Sequence, residues 1–288
     1  MRVAIDARLL AYQSAGTSTY IRGIIRGLRE AAPQLDLLAI ASRKDRELAG
    51  LGDIPHRLAW TPCHHRWERW TLGVELANLL VDVLHSPDFI PPARLGRRWA
   101  RVITVHDLAF LRFPDLLTAS SRRYYGQISR ATAEADQIIA VSESTKSDLM
   151  SLVSSSLAAK IAVIPEGVDP AYSVGSTVGL DREARIRLGI EGPYFLFVGT
   201  IEPRKNLPRL IRAFDRFRME YGQPDLCLAI AGSRGWLAEE SERAIASADD
   251  SVRYLGRVTS ADLIALYRGA VALVLVSLYE GFGLPILE

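Results

Sequence analysis

Two carboxylates near the end of the sequence are its most specific chemical feature. The segment reads Ser277-Leu-Tyr-Glu280-Gly-Phe-Gly-Leu-Pro285-Ile-Leu-Glu288, with seven residues between Glu280 and Glu288. Pro285 suits the first turn of a helix. Glu280 then falls in a glycine-rich loop and Glu288 on the first helical turn. Carboxylates so placed can accept hydrogen bonds from two sets of sugar hydroxyls; helix capping is the plainer alternative. A second feature is the cationic pair in Gly199-Thr-Ile-Glu-Pro-Arg204-Lys205-Asn206, between an apolar run and an amphipathic one. Positive charge at a helix N-terminus opposes the macrodipole, so the pair calls for an anion beside it. Charge-assisted hydrogen bonds to that anion contribute about 1.5–3 kcal/mol each. The alternative is a pair of solvated surface cations. A third feature is Ser14-Ala-Gly16-Thr17, directly before a helical stretch. A glycine there lets backbone N–H groups approach a phosphate at the helix N-terminus.

Other chemistries lack their signatures. The chain has no Walker A sequence, and Gly281-x-Gly283 lacks the third glycine of a dinucleotide-binding turn. There is no Asp-x-Asp. Cys63-His64-His65 suggests zinc, but adjacent residues rarely converge on one ion and no second ligand cluster follows. No metal or cofactor is therefore expected. A net charge of +2 is too small to argue for nucleic acid. Arginine is dense from Arg94 to Arg130, as a solvated face or as a dock for acidic substrates or anionic lipid.

The elements that must position these residues alternate. Apolar runs read as strands at Val3–Ile5, Leu37–Ala41, Val83–His85, Val102–Val105, Gln137–Val141 and Ile161–Ile164. A second series runs Tyr194–Val198, Leu226–Ala231, Val252–Leu255 and Val271–Val276. Apolarity on both faces is expected of parallel strands covered by helices. Helices are expected over Thr17–Ala32, Ser120–Ala135, Ser142–Leu152, Asn206–Tyr221 and Ser260–Tyr267, the last capped by Ser260. Strict alternation means an α/β fold with parallel sheets. It breaks over Pro165–Gly192, which reads as a linker between domains at 1–176 and 190–288. Length alone, 288 residues, also suggests about two domains. Ligands of open parallel sheets bind beyond the carboxyl ends of the strands. Asp6, the 14–17 loop, His85, His106-Asp107, Ser142, Gly199-Thr200, Gly232-Ser233 and Glu280 all follow strands in this way.

These residues together resemble glycosyltransferase family 4, retaining enzymes of the GT-B fold, in which two Rossmann-like parallel-sheet domains face a cleft. The markers are Ala15-Gly-Thr-Ser-Thr-Tyr20, Val105-His-Asp-Leu108, Ala135-Asp-Gln-Ile-Ile-Ala-Val-Ser142, Ile164-Pro-Glu-Gly-Val-Asp169, Val198–Leu207 and Glu280–Glu288. The combination is most similar to bacterial mannosyltransferases of cell-surface polysaccharide synthesis. The resemblance implies transfer of a hexose, mannose by this likeness, from a nucleoside-diphosphate sugar such as GDP-mannose to a saccharide or lipid-linked acceptor. It implies that Arg204 and Lys205 neutralise the departing diphosphate without metal. It places His106 against the donor sugar, Glu280 on sugar hydroxyls and Glu288 on the ribose. The amides of Gly16 and Gly281-Phe282-Gly283-Leu284 would line sugar and diphosphate, and Gly256-Arg257-Val258 would meet the base. Thr200 stands where members often carry arginine, and Val276 where they usually carry proline. A non-catalytic nucleotide-sugar-binding fragment, or an epimerase of the same fold, are the alternatives.

Family members run on beyond the glutamate motif, so the second domain is expected to be incomplete, Leu284, Ile286 and Leu287 poorly covered, and donor binding weak. Val3-Ala4-Ile5 stops at Asp6 without a signal-peptide pattern, and two cysteines form no scaffold. A cytoplasmic place, at the inner face of the membrane, is expected. His56–Trp70 is basic and aromatic. Core packing of its three tryptophans is the first reading; an acceptor or membrane border is the second.

Overall fold

The computed structural model describes residues 1–12, 15–44, 52–95, 99–173 and 178–288. Ser14 of the glycine-rich loop and Gly175 of the expected linker lie outside the described residues. The chain divides into two compact units. One holds Met1–Arg112 and Ala119–Gly167; the other holds Phe113–Thr118 and Val168–Glu288.

In chain order the first unit has β1 (Arg2–Asp6), α1 (Ala15–Ala31), β2 (Asp36–Ser42), β3 (His56–Ala59), α2 (Glu68–Glu75), β4 (Val83–Ser86) and β5 (Ala100–Val105). It continues with α3 (Ala109–Arg112), α4 (Ala119–Tyr125), α5 (Ile128–Glu134), β6 (Gln137–Ala140), α6 (Glu143–Asp148) and β7 (Ile161–Val163). The strands form one parallel sheet in the order β3-β2-β1-β4-β5-β6-β7. Alternate residues of β1 and β2 bury on opposite faces. Val3, Ile5, Leu37 and Ala39 pack with Ile21 and Ile25 of α1. Ala4, Leu38 and Ile40 pack with Leu72 of α2 and Leu76 at its C-terminal cap. This two-sided burial explains the continuous apolar runs.

The second unit has α7 (Val178–Arg187), β8 (Tyr194–Val198), α8 (Leu207–Tyr221), β9 (Cys227–Ala231), α9 (Glu239–Ala246), β10 (Val252–Gly256), α10 (Ser260–Gly269), β11 (Ala272–Leu273) and α11 (Leu284–Leu287). Its parallel sheet runs β10-β9-β8-β11. Leu207, Leu210, Ile211 and Phe214 of α8 cover one face through Phe197, Leu228 and Ile230. Leu266 of α10 covers the other through Leu196 and Ala229. Strand order reverses at β1/β4 in one sheet and at β8/β11 in the other, and such switch points open crevices at the carboxyl edge.

Several expectations need correction. The stretch 165–192 is not simply a linker. It contains α7, which packs on α10. Arg268 of α10 donates to the Ala171 and Ser173 carbonyls at 3.2 and 2.9 Å. The units change at Gly167/Val168, ahead of the expected 176, and 113–118 clusters with the second unit. The expected strand Val271–Val276 is only Ala272–Leu273. The helix expected over Ser120–Ala135 breaks at Gly126, where a Cβ would lie 2.9 Å from the Arg122 carbonyl oxygen. The cap of α10 is Thr259, not Ser260; its side chain accepts from the Asp262 N–H.

The tryptophans of 56–70 are not core. Trp60, Trp67 and Trp70 are 71%, 51% and 46% exposed. Trp67, Trp70 and Val74 fall on one outward stripe of the α2 region, while Glu68 and Leu72 face inward. Arg43 lies 3.3 Å from the Trp60 ring centroid, Arg66 lies 4.8 Å from that of Trp67, and Arg69 and Arg130 both face Trp70. Of the dense arginines, Arg94 pairs with Asp136, Arg101 and Arg130 with Glu134, and Arg112 with Asp148. Ile286 and Leu287 are exposed and Leu284 half-buried. No helix among the described residues is long and apolar enough to cross a membrane.

Candidate active site

At the β8/β11 switch point the chain makes two interlocked turns. The Gly199 N–H donates to the Ala231 carbonyl at 3.0 Å, and the Gly232 N–H to that of Gly256 at 2.8 Å. A Cβ on Gly232 would lie 1.8 Å from the Gly199 carbonyl oxygen, so only glycine fits there. Gly199 itself has φ +155°, a region open chiefly to glycine. The methyl of Thr200 would lie 2.7 Å from a Cβ on Gly235, so Thr200 packs on the neighbouring turn. A short 3-10 turn, Pro203–Lys205, leads through Asn206 in a left-handed conformation into α8. Asn206 Nδ2 donates to the Val276 carbonyl at 3.2 Å, and the Leu278 N–H to that of Arg204 at 2.9 Å. The cationic loop and the glutamate loop are thereby tied together.

The side chains converge. Lys205 Nζ donates to Glu280 Oε1 at 2.6 Å, and Arg204 Nη1 to Glu280 Oε2 at 3.0 Å. Arg204 also donates to the Tyr279 carbonyl at 2.6 Å and to Glu202 Oε1 at 2.8 Å. Burial acts to raise the Glu280 carboxyl, but Lys205 and Arg204 outweigh it and hold the group below its ordinary range. The anion demanded by the cationic pair is thus supplied by the chain. Glu202, 2% exposed, is a site residue that the sequence motifs do not mark; a glutamate two residues before Arg204 is the available signal.

The other residues expected to face the donor scatter more. Gly281 is buried, Phe282 half-buried, and Gly283 takes φ +93° ahead of α11. Glu288 has its own partner: Tyr267 donates its hydroxyl to Glu288 Oε2 at 2.8 Å. Burial raises both groups, the Tyr267 hydroxyl strongly. Arg257 is exposed, and Val258 packs partly buried beneath the Leu266 cluster.

The first unit carries its own polar cluster. His106, just past β5, has Nδ1 2.7 Å from Glu166 Oε1 and Nε2 2.9 Å from the Pro87 carbonyl oxygen. Tyr20 of α1 stands edge-on to the His106 ring at 4.8 Å. His85 Nε2 and the Tyr20 hydroxyl both lie within hydrogen-bond reach of Thr104 Oγ1, at 2.8 and 2.9 Å. Beyond Asp6 the carboxyl edge of β1 and β4 holds a network that no sequence motif announces. Arg8, 1% exposed, binds both Asp6 oxygens, Glu68 Oε1 at 2.7 Å and the Thr61 carbonyl at 2.9 Å. Asp88 accepts from His64 at 2.8 Å and Tyr124 at 3.2 Å. Gly16 and Thr17 lie in the first turn of α1 rather than in a loop, among N–H groups that have no partner within the helix.

Two units, each a parallel α/β sheet with polar clusters at its carboxyl-edge switch point, are the architecture of the GT-B fold. Sucrose-phosphate synthase from Thermosynechococcus elongatus superposes with a TM-score of 0.74 at 18% identity, over 99% of this chain and 77% of that one. HepE from Anabaena, solved in complex with UDP and glucose, gives 0.70 at 16% identity, over 99% and 77%. Residues 14–172 match the model of Glycosyltransferase Family 4 and residues 182–288 that of Glycosyl transferases group 1, so the chain belongs to the family 4 glycosyltransferases. O-antigen chain mannosyltransferase B of Escherichia coli is 32% identical over 265 residues, 86% of this chain; the chain spans 64% of that relative's length.

Proposed function

We propose that this glycosyltransferase moves a mannosyl group from GDP-mannose to a saccharide or lipid-linked acceptor, with retention, in cell-surface polysaccharide synthesis. The observation that carries the proposal is the convergence of Arg204, Lys205 and Glu280 at the β8/β11 switch point. The name of the 32%-identical relative supports the sugar, and the UDP complex of the structural neighbour supports a nucleoside diphosphate. As the glycosidic bond breaks, negative charge grows on the diphosphate, and preorganised cations stabilise it better than water does. Protein cations take the place of a metal in this reading. Glu280 shares its oxygens between the cations and sugar hydroxyls. Glu288, oriented by Tyr267, meets the ribose, and the backbone at Gly256-Arg257-Val258 meets the base. His106 and the amides of Gly16, Thr17 and Gly281–Leu284 keep the roles toward sugar and diphosphate that the resemblance implies. Incubation with radiolabelled GDP-mannose and a lipid-linked saccharide is expected to give a mannosylated acceptor. Acceptor-independent epimerisation of the sugar, or donor binding with no transfer to any saccharide, would overturn it.

The exposed stripe of Trp67, Trp70 and Val74, with exposed Trp60 just past β3 and arginines against all three rings, supports work at the inner membrane face. Aromatic rings favour the interface and arginines favour anionic headgroups. The protein is expected to cosediment with vesicles containing phosphatidylglycerol, and a W60A/W67A/W70A variant to stay in the supernatant. Equal partitioning of the two would remove the membrane from the proposal.

A further inference from the structure

Both ring nitrogens of His106 face acceptors, and this fixes where its protons are. The Pro87 carbonyl, 2.9 Å from Nε2, cannot donate, so Nε2 carries a hydrogen. On the other side Nδ1 lies 2.7 Å from a Glu166 oxygen. Glu166 belongs to the segment after β7, and its side chain is 7% exposed. A second proton sits between that pair and rests on whichever partner is more basic. We propose that Glu166 is a positioning residue that holds His106 as an imidazolium with both N–H groups committed, so that His106 serves transfer as a fixed positive charge and never as a base.

The surroundings agree. Burial opposes charge on His106, but the Glu166 hydrogen bond and charge, then Asp88 and the Pro87 carbonyl, outweigh it and raise its pKa. Among the described residues His85 and Tyr20 also face it. Burial, aided by the charge on His106, pushes His85 down to about 4, so that ring is neutral. Burial, partly offset by the Thr104 hydrogen bond, pushes the Tyr20 hydroxyl up to about 12, so it too is neutral. Thr145 Oγ1 donates to the His106 carbonyl at 3.3 Å and fixes the backbone. Neighbouring histidines are thus driven to opposite charge states, a separation of pKa values that assigns separate roles.

The role in transfer rests on the function proposed above; the pairing does not. The chain has five histidines, few enough for residue-assigned NMR. In 15N-histidine-labelled protein the titration midpoint of His106 is expected above the ordinary value of about 6.5, with both nitrogens protonated on its acid side. Glu166→Gln is expected to lower the midpoint by about one unit or more, and Glu166→Asp to retain part of the elevation. The sign follows for stability. A raised histidine pKa contributes fully below about pH 6.5 and is lost as pH rises through the folded value, so the wild type's advantage over Glu166→Gln fades on the alkaline side. A wild-type midpoint at or below the ordinary value, or an unmoved midpoint in a Glu166→Gln protein with native near-UV circular dichroism, would sink the pairing. If the pairing holds, the alkaline limb of the transfer rate is expected to move down with the midpoint in Glu166→Gln. A limb that stays put removes the role in transfer. Absence of transfer in the wild type counts against the proposed function and leaves the midpoints to judge the pairing.

Discussion

Replacing Lys205 by alanine is expected to lower the rate of sugar transfer by on the order of 10²-fold or more, because preorganised charge aimed at a leaving group is among the strongest contributions to catalysis. Lys205 is 9% exposed, and its ammonium lies 2.6 Å from Glu280, so it is a fixed charge and not a wandering surface lysine. Its loss leaves Arg204 as the remaining cation on Glu280, at 3.0 Å. The fold has little reason to fail, since Arg204 still neutralises the carboxylate. The deficit should therefore appear in kcat and kcat/KM with a modest change in melting temperature. Lys205→Arg keeps the charge but replaces a compact ammonium with a planar fork, and is expected to recover only part of the rate. Retention of transfer within about threefold of wild type in Lys205→Ala would exclude Lys205 from transition-state stabilisation.

Arg8→Ala should produce the largest loss of stability. The guanidinium is enclosed and carries two carboxylates, Asp6 and Glu68, whose side chains are 12% and 7% exposed. Removing one partner of a buried ion pair leaves uncompensated charge and costs about 3–5 kcal/mol. Even in the wild type burial raises Glu68, ahead of the opposing pull of Arg8. Without Arg8 the Glu68 carboxyl is expected to sit further above its unfolded value, so its ionisation destabilises as pH rises and its protonation relieves the fold as pH falls. Urea denaturation at pH 7 and pH 5 checks both parts: the loss should be large at the higher pH and smaller at the lower. A loss under about 1 kcal/mol at pH 7, typical of exposed pairs, would mean that the network is solvated in solution.

What is legible in the sequence follows physical range. Strands such as Tyr194–Val198 and helices such as Asn206–Tyr221 announce themselves because apolar periodicity is local. The strand His56–Ala59 escapes a sequence reading because it is an edge strand with mostly polar or half-exposed residues, and edge strands carry a weak apolar signal. The tryptophans of 60–70 read as inward because large aromatics usually are buried; only the register of the α2 region shows that Trp67 and Trp70 lie on its outer stripe, and only the end of β3 shows Trp60 exposed. The cationic pair and Glu280 can be read because each sits in a short motif. The pairing of Arg8 with Glu68, 60 residues away, cannot, and neither can that of His106 with Glu166, also 60 residues apart. Pairings of that range are decided by sheet order, which no local pattern encodes.

The interlocked glycine turns carry a consequence for how the cations work. Functional loops are usually the mobile part of a fold. Here the Gly199 carbonyl fills the space beside Gly232, and backbone hydrogen bonds run from both turns into the sheet. The segment carrying Arg204 and Lys205 is set by strand spacing, and its disorder is removed when the chain folds. On the proposed function, a diphosphate arriving there would meet charges that need no further ordering, so the association entropy normally lost in freezing a loop would be spared.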